Sequence, residues 1–317
     1  MRILLAGATG TAGSAVLDAL LAAGHRVVAL SRTQATGEQA RFNSATWLRW
    51  SAINETSHHE LTNIDAVVSC LASRSGGIKD SHKVEYEANS KLLAFALRNK
   101  VPRFMLLSAI CVQKPRLAFQ HAKLAFEREL MAAPISWHII RPTAFFKSLS
   151  GQIHRVQQGK PFLVFGDGLL TACKPISQPD LARFMCSTLS SNTHINRILP
   201  IGGPGPAITP RDQVALLEQA FNRPIKIKTI SPQLFRIAER VFALFSPWSD
   251  WCADKAEFCR IGYFYATESM LIWDNQLARY DAEATPETGS ETLGEFYRAI
   301  VGGAEAIPER GEHRIFK

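Results

Sequence analysis

The chain has no run of about eighteen uninterrupted apolar residues, so no segment reads as a membrane-spanning helix. It has no C-x-x-C pair. Its six cysteines (Cys70, Cys111, Cys173, Cys186, Cys252 and Cys259) fall at no spacing that would hold zinc or an iron–sulfur cluster. They read as reduced thiols of a cytoplasmic protein. The opening "MRILLAGATG" enters a strand at once and is expected to leave no room for a signal or transit segment. There is no internal repeat, no low-complexity tract, no basic arm and no nucleic-acid-binding module. The net charge of +8 is dispersed and favours encounter with anionic ligands, not nucleic acid.

What is present is an ordinary globular composition, 46% hydrophobic and 20% charged, over 317 residues. That length suits one α/β domain with an appended lobe. Short apolar runs alternate with helical patterns: strands at 2–7, 26–30, 64–73, 102–109 and 136–142, and helices at 14–24, 84–100 and 116–133. This rhythm predicts a doubly wound parallel sheet of Rossmann type over residues 1–143. From 144 to 317 the rhythm breaks into turns such as "FGDG", and a smaller substrate lobe with some elements returning to the core is expected. Helices are expected at 209–221, with Thr209 as cap, at 234–251 and at 291–300.

"LLAGATGTAGSAV" spaces Gly7, Gly10 and Gly13 across the first strand-to-helix junction. The three glycines serve the sharp turn, the approach of backbone to a pyrophosphate, and close helix–strand packing. Thr9 and Thr11 complete the loop, and the helix N-terminus offers amide donors to an anion. The second strand lacks the terminal acid that grips an NAD ribose. It has Ser31-Arg32 instead, which suits the 2′-phosphate of NADPH.

In "FQHAK", Phe119 stands four residues before Lys123, on the same helical face. Many nicotinamide-dependent reductases have Tyr-x-x-x-Lys here, with the phenol as acid toward a substrate oxygen. This chain lacks the hydroxyl.

The segments "VVSCLASRSGGIKDSHKVEYEAN", "LLSAICVQKP", "FQHAKLAFERELM" and "IIRPTAFFKSLSGQ" resemble the atypical short-chain dehydrogenase/reductases. "GKPFLVFGDG", "CKPISQPDLA", "LPIGGPG" and "YFYATESML" extend the likeness across most of the chain. Within that superfamily the chain resembles the NADPH-dependent 8-vinyl reductases of (bacterio)chlorophyll biosynthesis, in a bacterial form without the plant N-terminal extension. The resemblance implies addition of hydride and a proton across a vinyl C=C, where no alkoxide forms and no tyrosine hydroxyl is needed at position 119. It implies that Lys123 binds the nicotinamide ribose and assists proton delivery, and that Ser108 stands at the position of the catalytic serine. Leu71, Ala72 and Asn89 match positions near the cofactor, and Pro142-Thr143 the segment that touches nicotinamide.

A flat, apolar, carboxylate-bearing tetrapyrrole that brings its own magnesium calls for aromatic walls and basic contacts. Phe119, Phe145, Phe146, Phe162, Phe165 and Lys147 are the candidates, with Lys174 nearby. His121, His138 and His154 read as structural, so no protein metal site is expected. No obligate protein partner is evident. For the aromatic helix at 234–251 three readings stand open: core, lid, or peripheral membrane contact. Two other functions remain open from these residues: a non-catalytic dinucleotide-binding scaffold and a reductase of phenylpropanoid-type double bonds.

Overall fold

In the computed structural model, which describes residues 1–32, 44–54 and 59–306, the chain begins with a buried strand and turns at Gly7 into a helix. The alternation runs β1 (Arg2–Ala6), α1 (Thr11–Ala22), β2 (Arg26–Ser31), β3 (Thr46–Arg49) and β4 (Ala66–Ser69). A helical stretch follows, in which a π-type segment (His82–Glu87) lies between α2 (Ile78–Ser81) and α3 (Ala88–Arg98). Then come β5 (Arg103–Leu107), α4 (Ala118–Ala132) and β6 (Ser136–Pro142). The second half contains α5 (Phe146–Leu149), α6 (Ile153–Gln157), β7 (Phe162–Phe165), α7 (Gln178–Ser190), β8 (Arg197–Ile201), α8 (Pro210–Phe221) and β9 (Ile227–Ile230). It ends with α9 (Gln233–Phe245), α10 (Asp250–Thr267), β10 (Ile272–Asp274), β11 (Arg279–Asp281) and α11 (Leu293–Val301).

Seven strands form one sheet in the order β3-β2-β1-β4-β5-β6-β8, and every pairing is parallel. The winding direction reverses between β1 and β4, which opens a crevice at the carboxyl ends of the strands. Central parallel strands are covered on both faces, and this explains the unbroken apolar runs of β1, β4 and β5. One face packs Val16, Leu17 and Leu20 of α1 with Leu181, Met185 and Leu189 of α7. The other packs Leu92, Phe95 and Ala96 of α3 with Phe126 and Leu130 of α4. Two elements of the Rossmann layer, α7 and β8, thus come from beyond residue 143. A separate cluster around Phe146, Phe162, Leu217 and Tyr297 forms the core of the smaller lobe.

Thr209 caps α8 as expected, its hydroxyl accepting from the Asp212 amide while the Asp212 carboxylate returns to the Thr209 amide. The helix expected at 234–251 is broken in two. α9 ends at Phe245, and Ser249 caps α10 after a turn that includes Pro247, which has no amide to continue the ladder. Nor is α9 a core helix, for none of its residues is buried. Leu234, Ile237, Val241, Leu244 and Phe245 are all more than half exposed, and Trp248 just beyond them is 82% exposed.

Candidate active site at the carboxyl edge of the sheet

Gly7 takes φ +82°, and a Cβ there would lie 2.5 Å from the Cys70 carbonyl oxygen. A Cβ on Gly13 would lie 2.0 Å from the Gly7 carbonyl oxygen. Neither position admits a side chain, which explains two of the three spaced glycines. Thr9, Gly10 and Thr11 are exposed at the start of α1, and Gly10 caps the helix without a side chain, so the amides of the first turn face outward. Lys147 of α5 brings its Nζ to 2.9 Å from the Thr11 hydroxyl. This lysine therefore stands at the mouth of the glycine loop, not among the aromatic residues with which the sequence grouped it. A bare helix N-terminus, a glycine cradle and an added cation fit the pyrophosphate of a dinucleotide.

At the end of β2, Ser31 is buried and Arg32 is exposed. Arg32 faces Asp80. Although burial works in the opposite direction, hydrogen bonds from Ser75 and the charge of Arg32 hold the Asp80 carboxyl below its usual range.

The inner end of the crevice is built on one face of α4, where Phe119, Lys123 and Glu127 follow at successive turns. Lys123 is buried, and its Nζ lies 2.7 Å from Oε2 of Glu85, which is itself buried on the π-type segment. The other Glu85 oxygen accepts from the amide and hydroxyl of Ser73. Asn89 accepts from Ser69 Oγ and donates to the carbonyl oxygens of Glu85 and Val84, so it holds the segment carrying Glu85 against the end of β4. Ser108, at the end of β5, donates to buried Glu127, which also accepts from Arg141 Nε and forms a close ion pair with that guanidinium. Ser108 is thus committed to an interior network. Thr143 is buried and donates its hydroxyl to the Lys174 carbonyl, while the Lys174 ammonium pairs with Glu287 at 2.5 Å. Pro142 is buried beside it, and Leu71 and Ala72 leave β4 with Leu71 half-buried and Ala72 exposed.

Two of the expected aromatic walls are core residues. Phe146 and Phe162 are 2% and 3% exposed within the lobe's own cluster and have no surface to offer a ligand. Apolar side chains on short elements between two packed layers are drawn inward, and sequence position alone does not distinguish that from a cleft wall. Phe145 is half-buried against the sheet cluster, and Phe165 stacks at 5.4 Å from Phe235. Phe119 is half-buried with Cys111, Leu117, Phe264 and Met270 in a cluster that joins α4 to α10. His138 is wholly buried, His154 meets Gln158, and no group of three metal-ligating side chains occurs among the described residues.

Sequence reasoning missed Glu85, Glu127 and Arg141. Glu127 was available to it, since the Phe119–Lys123 spacing continues one more turn. Glu85 was hidden because the π-type segment shifts the helical phase by a residue.

Residues 7–192 match a family model described as NAD(P)H-binding. The chain is 40% identical over 99% of its length to the chloroplastic divinyl chlorophyllide a 8-vinyl-reductase of Cucumis sativus, covering 80% of that protein. It belongs to the divinyl chlorophyllide a 8-vinyl-reductase family. The family member of Arabidopsis thaliana is 39% identical over 98% of this chain and 79% of its own. The motif-based resemblance to the 8-vinyl reductases is therefore borne out. Its fold is shared with UDP-glucuronic acid 4-epimerase from Bacillus cereus, solved in complex with NAD, at a TM-score of 0.66 and 16% identity over 98% of this chain and 99% of that one. Among the described residues no helix is long and apolar enough to cross a membrane.

Proposed function

We propose that the protein reduces the 8-vinyl group of a 3,8-divinyl chlorophyllide to ethyl with NADPH. The observation that carries this reading is identity near 40% to reductases of that name along essentially the whole chain. The site supports it: Lys123 is kept while position 119 has no hydroxyl, as suits a double bond that yields no alkoxide.

When bound, NADPH supplies the hydride. The loop Gly7–Gly13 and Lys147 hold the pyrophosphate, Ser31 and Arg32 the 2′-phosphate, and Lys123 the nicotinamide ribose. Leu71, Ala72, Pro142 and Thr143 bound the nicotinamide side of the crevice. Asn89 and Ser108 act as positioning residues through Glu85 and Glu127. Phe119, Phe145 and Phe165 remain the aromatic surfaces for the pigment. The protein works in the cytoplasm, at a membrane surface that α9 contacts through its exposed apolar stripe.

The test is purified protein with NADPH and 3,8-divinyl chlorophyllide, followed by absorbance and product mass. Loss of one vinyl group shortens the conjugated system, so the Soret band moves to the blue and the product gains two hydrogens. Bound NADPH without turnover on any divinyl pigment would instead identify a scaffold.

A further inference from the structure

Where α9, α10 and the start of α4 meet, they leave a cavity of about 200 Å³. Leu117, Phe235 and Phe264 give it apolar walls, and Arg116, Arg236 and Arg260 reach it with their cationic groups. It adjoins two of the aromatic surfaces of the crevice. Leu117 and Phe264 pack in the same cluster as Phe119, and Phe235 stacks on Phe165.

A pocket that encloses a whole small-molecule ligand measures about 300–1,000 Å³, so this one suits a single arm of a ligand whose body lies outside it. From Leu117, the cap of α4, to Lys123 is six residues, or about 9 Å of helical rise. A tetrapyrrole spans a distance of that order. Its 8-vinyl group and its propionate carboxylate stand on opposite rings of the macrocycle, so one can lie near Lys123 while the other reaches the cavity.

The three arginines differ in how far they are already neutralised. Arg260 is fully engaged, its Nε bonding Glu239 at 3.1 Å and its Nη1 bonding Glu257 at 3.0 Å, which also satisfies the Glu239 carboxylate on the cavity wall. Arg116 shares Glu268 with Lys114, one carboxylate between two cations. Arg236 has no ion pair among the described residues. Its guanidinium lies 5.5 Å from the centroid of the Tyr263 ring, a contact that orients the group and leaves its charge uncompensated. Arg116 and Arg236 are both exposed, so an excess of positive charge stands at the mouth of a pocket with apolar walls. The combination fits an aliphatic arm that ends in a carboxylate, the anion that guanidinium groups bind with paired hydrogen bonds.

We propose that this cavity is the carboxylate subsite for the pigment, with Arg116 and Arg236 binding the propionate of the substrate while its macrocycle lies against Phe119. The inference rests on the reductase reading above. The phosphates of NADPH are assigned to the glycine loop and to Arg32, so the anion held here belongs to the substrate.

The experiment compares divinyl chlorophyllide with its propionate methyl ester, on wild type and on the double variant Arg116→Gln with Arg236→Gln. Glu268 keeps Lys114 and the Tyr280 hydroxyl as partners in that variant, so the junction around it is retained. For the free acid the variant is expected to raise KM about 10- to 100-fold with kcat within threefold, the pattern of lost ground-state binding. For the ester its KM should match that of wild type. Arg236→Lys, which restores one charge, should recover part of the preference for the acid. A KM for the acid within threefold of wild type, or equal losses on acid and ester, overturns the subsite and leaves the reductase reading intact. Failure of wild type to reduce any divinyl pigment removes the reductase reading instead. Fluorescence titration of the two pigments onto the NADP-bound protein then decides the subsite without turnover: wild type should bind the acid at least 10-fold more tightly than the ester, and equal affinity overturns it.

Discussion

Lys123 Nζ and Glu85 Oε2 are 2.7 Å apart, with side chains only 9% and 3% exposed. A buried ion pair adds little net stability, but removing one partner leaves an uncompensated charge in the interior. Lys123→Ala should therefore cost about 3–5 kcal/mol of folding stability as well as activity. Lys123→Met combined with Glu85→Gln should recover most of that stability while remaining inactive. Denaturant titration of the single and double variants checks this, and additive losses would show that the two groups are not coupled.

Arg32→Ala should raise the KM for NADPH about 10- to 100-fold, from loss of a charge-assisted contact of about 1.5–3 kcal/mol, and barely change that for NADH. Steady-state kinetics with both cofactors decide the point. Equal losses would mean that Arg32 acts on the structure and not on the 2′-phosphate.

Phe119→Tyr should not speed reduction. The new hydroxyl enters a cluster of Cys111, Leu117, Phe264 and Met270, where an unsatisfied donor costs about 1–3 kcal/mol. The expected enzyme is folded, with unchanged or lower kcat/KM and no carbonyl reduction. A large rate gain on the divinyl pigment would show that proton supply limits turnover and that position 119 faces the reacting carbon.

His138 lies wholly inside β6, and neither ring nitrogen has a hydrogen-bond partner among the described residues. Burial, helped by the charges of Arg103 and His194, lowers its pKa to about 4. The unfolded chain, with a value of about 6.5, binds the proton more readily. The stabilising contribution is therefore complete above about pH 6.5 and is lost as pH falls toward 4, by up to about 3 kcal/mol. His138→Met should flatten this part of the profile. Denaturation at pH 7, 5.5 and 4.5 tests it, and identical acid sensitivity in both proteins would rule it out.

At 100° per residue, Leu234, Ile237, Val241, Leu244 and Phe245 share one narrow stripe, with exposed Trp248 in the turn just beyond the helix and exposed Arg236 and Arg240 to one side. This arrangement suits a helix lying in the plane of an anionic bilayer surface. The protein should sediment with vesicles containing phosphatidylglycerol and much less with pure phosphatidylcholine, and Leu244→Glu with Trp248→Glu should abolish the difference. Equal partitioning of wild type and variant would refute the contact.

The Rossmann layer was legible because its signals are local. Parallel strands covered on both faces read as continuous apolar runs, and the glycines of the first turn are forced by backbone clashes at Gly7 and Gly13. Lys123 was legible from its spacing to Phe119. Glu85 was not, because a π-type segment breaks the period on which such arguments rest. The fates of Phe146 and Trp248 were equally hidden: one is interior and the other solvent-facing, and both follow from how the lobe packs, not from their neighbours in sequence.

The uncovered stripe on α9 also governs how the isolated protein behaves in plain buffer. Water is a poor solvent for five large apolar side chains on one helical face, and a second copy offers an equivalent stripe to cover them. Light-scattering mass should then rise with concentration and collapse to that of one chain on adding mild detergent. An oligomer with that signature would be held by the α9 stripe alone and should compete with vesicles for the same surface.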